Sequence, residues 1–188
     1  MLNNKELILY HGSYCTVSVP DLTKCAKYKD FGQGFYLTTS KEQAQRFSLT
    51  SLKKSIANGT VDEHQKYGII SIFRCPSEEW SLLNICKFDT ADSKWLNCIV
   101  GHRRGKTFGK FARQYQDYNV IGGKIANDAT NATITAYMAG IYGTVGSESA
   151  AQLCISLLLP ERLKDQYCFR TQRAFETLHF MGSEQVWK

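Results

Sequence analysis

The chain has 188 residues, 43% hydrophobic and 21% charged, which excludes a disordered tail, a collagen-like repeat and a coiled-coil rod. Its length predicts one domain over residues 1–188. Lys and Arg number 23 against 17 acids, and the net charge of +6 suits an anionic ligand without demanding one.

Met1 to Glu6 has no basic stretch ahead of an apolar run, so no signal peptide is expected. The apolar run Cys154 to Leu159 is too short to span a bilayer, which predicts a cytoplasmic protein with no membrane partner. The seven cysteines are odd in number, form no C-x-x-C and sit mostly in apolar runs, as buried thiols of a reducing compartment do. The four histidines are scattered without ligand spacing, so no metal site is expected.

In chain order, Leu7 to Tyr10 reads as a strand leading into His11-Gly12-Ser13. Tyr14 to Asp30 reads as loop, and Phe31 to Thr39 as a glycine turn that becomes a strand. Ser40 is the expected N-cap of a helix running to Ala57, with Gln43 as its capping-box partner and Ala44, Phe47 and Leu52 buried; Asn58-Gly59 stops it. Tyr67 to Arg74 is β-rich, and Leu82 to Phe88 is a further strand candidate. Asp89 or Thr90 is expected to cap a helix through Trp95, Ile99 and Val100, closed by Gly101. Asn119 to Ala126 predicts a strand with a glycine bulge, followed by helices near 130–142 and 147–158 and a late strand Tyr167 to Arg170. Strands at both ends with helices between, and no regular βαβ alternation, predict an α+β fold.

Three features are candidates for chemistry. Tyr10-His11-Gly12-Ser13 ends a strand, where a glycine lets a ligand approach the backbone and its N–H and C=O can pair with an amide. Asp30-Phe31-Gly32-Gln33-Gly34-Phe35-Tyr36 makes a bent segment able to present a ring to a flat ligand. Asp30-Phe31-Gly32 also matches the magnesium triplet of kinases, but the chain lacks a phosphate loop and a His-Arg-Asp loop, which excludes a kinase. Ser93 to Gln116 holds Lys94, Arg103, Arg104, Lys106, Lys110 and Arg113 with no acid, interleaved at its end with Phe108, Phe111 and Tyr115. Such a segment pairs with a pyrophosphate or binds single-stranded nucleic acid, or is a solvated face with buried aromatics. A Cys–His hydrolase is a further option for which no nucleophile stands out.

The first two features together resemble the His-Tyr-Glu branch of the ADP-ribosyltransferase superfamily, which includes diphtheria-toxin-like and poly(ADP-ribose) polymerase-like enzymes. Tyr10-His11-Gly12-Ser13 matches its first strand motif and Gly32-Gln33-Gly34-Phe35-Tyr36 its second. More closely, Asp30 to Thr38, Trp95 to Arg103, Val120 to Asp128 and Gln166 to Phe169 resemble a bacterial family of unknown function placed in that superfamily. The resemblance implies a split β-sandwich of two antiparallel sheets with surrounding helices and an NAD+ cleft. It implies His11, Tyr36 and Gln166 as catalytic positions, with Gly12, Ser13, Gly34, Phe47, Arg103 and Asp128 contacting NAD+. It further implies mono-ADP-ribosyl transfer to a protein or nucleic-acid acceptor, as in a toxin of a toxin–antitoxin pair with a small antitoxin partner, or a defence effector. An NAD+ glycohydrolase and a non-catalytic NAD- or nucleic-acid-binding module are the alternatives. Gln166 stands where the superfamily has Glu; an amide can hydrogen-bond but cannot act as a carboxylate base.

Overall fold

The computed structural model describes residues 6–124, 128–158 and 164–188, without the side chains of 128 and 129. The elements in order are β1 (Leu7–Ser13), β2 (Phe35–Leu37), α1 (Lys41–Ala57), β3 (Tyr67–Cys75), α2 (Ser77–Trp80), β4 (Ile85–Lys87), α3 (Ser93–Arg103) and α4 (Gly105–Phe108). They continue as β5 (Val120–Lys124), α5 (Asp128–Met138), α6 (Glu148–Leu158), β6 (Asp165–Phe169), α7 (Gln172–Glu176) and β7 (His179–Trp187). This is an α+β architecture with two sheets, ordered β1-β3-β7 and β2-β6-β5-β4. The first sheet is antiparallel throughout. The second is mixed rather than antiparallel as expected, because β4 lies parallel to β5. The segment joining them carries α3 and α4, a helical crossover of the kind a parallel pair requires.

The period-two alternation of the strands divides the apolar residues between two cores. Leu9, Phe73 and Cys75 of the first sheet meet Phe35, Leu37, Tyr167 and Phe169 of the second. On the other face of the second sheet, Ile121, Cys168 and Tyr36 pack against helix residues including Trp95, Ile99, Ile134 and Cys154. Gly122 and Gly123 form no bulge: β5 keeps an unbroken register with β6, whereas between β3 and β7 the register shifts at Ile72/Phe73, where Met181 of β7 is the extra residue. The two glycines serve close packing instead, since a Cβ at Gly122 would sit 2.7 Å from the Tyr167 ring.

Helix starts differ from the expectation in instructive ways. Ser40 does cap α1, its Oγ accepting from Gln43 N–H. The reciprocal bond, however, comes from Thr38, whose Oγ1 accepts from Ser40 N–H, and Gln43 Oε1 has no partner among the described residues. Asp92, not Asp89 or Thr90, caps α3 by accepting from Trp95 N–H at 2.8 Å. Gly101 does not close that helix, which runs on to Arg103; a Cβ there would lie 2.6 Å from Ala112 N, so the glycine admits the following turn. The β7 strand had no sequence signal because its side chains are mostly exposed and do not alternate.

Candidate functional site

The two sheets touch where Tyr10 and Thr38 exchange backbone hydrogen bonds of 2.8 and 3.0 Å, after which β1 and β2 part. In an antiparallel strand, successive residues direct their backbone groups to opposite neighbours. Tyr10 directs its pair at β2, so Gly12, two residues on, presents its N–H and C=O on the same side, past the point where β2 has turned away. No described residue takes them up. Gly12 is also fixed by packing, because a Cβ would fall 2.1 Å from Ala44 O and 2.9 Å from Ser48 N on α1. Ser13 is buried beside it, its Oγ at 4.0 Å from Cys15 Sγ.

His11 bridges the parting strands. Its Nδ1 lies 2.8 Å from the Tyr36 carbonyl oxygen, and its ring packs on Phe35 with centroids 4.3 Å apart. A carbonyl only accepts, so Nδ1 carries the proton. Burial pushes the imidazole pKa down, outweighing that bond, and holds the ring neutral. Nε2 is therefore a lone-pair acceptor, with no partner among the described residues.

Tyr36 occupies the opposite face of β2, turned towards α3, and its ring is part-buried against the helical core. Its hydroxyl accepts from Phe31 N–H at 2.9 Å and donates to Gly32 O at 2.8 Å, clamping the turn that precedes it. Gly32 holds φ at +86°, a conformation natural to glycine, and a Cβ there would strike the His102 ring at 2.6 Å. Burial, with Cys168 and Asp30 nearby, pushes the phenol pKa well up. Gly34 is a packing glycine as well: a Cβ would lie 2.4 Å from Phe169 O. Phe47, expected in the core of α1, is 55% exposed, because Ala44, Ser48 and Leu52 take the buried side of the helix.

Gln166 follows the register Tyr36↔Cys168 and so shares the face of Tyr36 two residues along β6. Its amide donates from Nε2 to Asp30 Oδ2 at 3.1 Å. Asp30 Oδ1 in turn accepts from Arg103 Nε at 2.8 Å and forms an ion pair with Nη2 at 2.7 Å. Arg103 Nη1 then donates to Asn131 Oδ1 at 2.9 Å. A polar chain Gln166–Asp30–Arg103–Asn131 thus ties β6 to the turn before β2, to α3 and to α5. Arg103, expected to meet an anionic ligand, is already neutralised by a carboxylate of the chain. Asp30 stood in the sequence only as the start of the bent segment before Tyr36, and Asn131 carried no signal; Asp30 lies 136 positions from Gln166, and only the fold joins them. The Asp128 side chain lies outside the described residues.

The aromatics interleaved with the basic residues pack inward. Phe108 and Phe111 stack on each other and pack on the helical core, and Tyr115 is buried in it. Arg104 and Lys106 remain exposed and, with Tyr28 and Arg103, line a cavity of about 260 Å³.

A thiol–imidazole pair does occur, with Cys98 Sγ at 3.5 Å from His102 Nδ1. That nitrogen also lies 2.9 Å from Cys98 O, and burial pushes the Cys98 thiol pKa up and the His102 pKa down. Burial also takes Cys168 up to about 12, so neither thiol is an activated nucleophile. Among the described residues, no three His, Cys, Asp or Glu side chains are grouped to hold a metal, and no helix is long and apolar enough to cross a membrane.

The arrangement defines an α+β protein with a polar cluster on one sheet and an open peptide edge on the strand beside it. Residues 7–180 match the family described as protein of unknown function (DUF3990), and the chain belongs to that family. No curated protein and no solved structure matches it.

Proposed function

We propose that this protein is a mono-ADP-ribosyltransferase of the His-Tyr-Glu type, moving one ADP-ribose unit from NAD+ to a macromolecular acceptor. The observation that carries the reading is the open Gly12 peptide edge beside a neutral His11 whose Nε2 is an acceptor, at the point where β1 and β2 part. A donor and an acceptor side by side on one glycine complement a carboxamide such as that of nicotinamide, and no side chain intervenes. His11 Nε2 accepts from a ribose hydroxyl, and the exposed Phe47 ring offers a surface for a flat heterocycle. In the reaction the ribose–nicotinamide bond breaks, its electron pair leaves with the nicotinamide nitrogen, and an acceptor atom bonds to the ribose carbon and gives up its proton. Departure of a cationic leaving group needs orientation of the sugar more than a strong nucleophile on the enzyme.

Gln166 is uncharged and takes no proton from the acceptor, so the acceptor is already nucleophilic or is deprotonated by a group of its own. Single units, not chains, are the expected product. The test is incubation of the protein with labelled NAD+ and a whole-cell extract. Label in protein, RNA or DNA together with released nicotinamide supports the reading. Nicotinamide and free ADP-ribose without labelled acceptor would instead assign NAD+ hydrolysis, and no nicotinamide release at all would refute both.

A further inference from the structure

The contact between Gln166 and Asp30 settles which way the amide faces. Amide oxygen and nitrogen are alike in shape, but an ionised carboxylate only accepts. Asp30 is held against Arg103 Nε and Nη2 at 2.8 and 2.7 Å, with both side chains mostly buried. The Gln166 atom 3.1 Å from Asp30 Oδ2 must therefore be the donor Nε2, which turns Oε1 away from the carboxylate. No described residue donates to Oε1.

We propose that Asp30, held by Arg103, is a positioning residue that locks the Gln166 amide with its oxygen outward, so that position 166 offers a neutral acceptor to a sugar hydroxyl. The proposal rests on the transferase reading for the identity of that hydroxyl. One consequence opposes the simple expectation that Glu at 166 improves the site. In Gln166→Glu the new carboxylate would face Asp30 at the distance of the present hydrogen bond, and the two would share a proton before both ionised. The exchange Asp30→Asn with Gln166→Glu reverses donor and acceptor, keeps one negative charge in the cluster, now at 166 with residue 30 between it and Arg103, and still leaves an oxygen outward.

The experiment compares the wild type, Asp30→Asn, Gln166→Glu and the double variant, using urea unfolding and NAD+ cleavage from pH 5 to pH 9. Either single change should lower kcat about 10- to 100-fold with KM altered by less than about threefold, as for losing one orienting contact near developing charge. Gln166→Glu should also show a new titration above the ordinary Glu range, absent from the double variant. The double variant should recover most of kcat and most of the urea midpoint. Full activity of Asp30→Asn, a Gln166→Glu pH profile identical to wild type, or a double variant no better than the worse single would overturn the proposal. If wild type cleaves no NAD+, the transferase reading fails by itself. The urea series still decides the pairing: recovery in the double variant upholds it and additive losses overturn it.

Discussion

Removing one oxygen from Tyr36 tests the clamp its hydroxyl closes while leaving its ring in place. Tyr36→Phe keeps the ring but deletes the hydroxyl that accepts from Phe31 N–H and donates to Gly32 O. Phe31 is fully buried and Gly32 is buried beside it, so water cannot simply replace the lost partner. Each bond contributes about 0.5–1.5 kcal/mol net, which puts the loss at about 1–3 kcal/mol for the pair. For a chain of this size, each kcal/mol corresponds to about 2–4 °C in Tm. Urea unfolding followed by tryptophan fluorescence measures the loss, and hydrogen exchange at the Phe31 amide should quicken in the variant. Tyr36→Phe should retain NAD+ affinity to the extent that the ring supplies it, whereas Tyr36→Ala loses ring and clamp together. A Tyr36→Phe protein within about 0.3 kcal/mol of wild type, with unchanged exchange at Phe31, would refute the clamp, since even one bond of this kind is worth more than that.

Three further outcomes are expected. Gly12→Ala should destabilise by about 1–3 kcal/mol or more, because its Cβ would lie 2.1 Å from the α1 backbone; an unchanged urea midpoint would mean that α1 can move off β1 at no cost. His11 and His102 both have folded pKa values lowered by burial, so the unfolded chain binds protons first as pH falls. Stability should therefore be level above about pH 7 and decline below about 6.5, by up to about 1.4 kcal/mol per pH unit for each proton, with His11→Gln flattening the slope; level stability down to pH 5 would contradict it. Phe47→Ala should leave stability within about 0.5 kcal/mol, as for an exposed side chain, yet weaken NAD+ binding by about 0.5–1.5 kcal/mol in calorimetry; unchanged affinity would remove this ring from the site.

Local patterns made much of the framework legible. The β-rich run at Tyr67, the Ser40 cap, the Asn58-Gly59 stop and the helical periods near 130 and 150 depend on interactions within a few residues, so they are readable where they occur. The same holds for the His11-Gly12 strand end, whose open peptide edge follows from strand alternation once the neighbour is known. What the chain order could not disclose is which distant segments meet. The Asp92 cap wins over Asp89 and Thr90 because the packing of Trp95 and Ile99 sets where α3 begins. Gly101, Gly122 and Gly123 read locally as a stop and a bulge, but their meaning lies in the backbone and rings that press on them from elsewhere. Phe47 looks like a core residue by type and is left exposed by the side of α1 that lies on β1. Above all, the orientation of the Gln166 amide depends on a carboxylate 136 residues away and on the arginine that neutralises it. Hydrogen-bond orientation is set by the partner atom, and for this residue the partner is supplied by the tertiary fold alone.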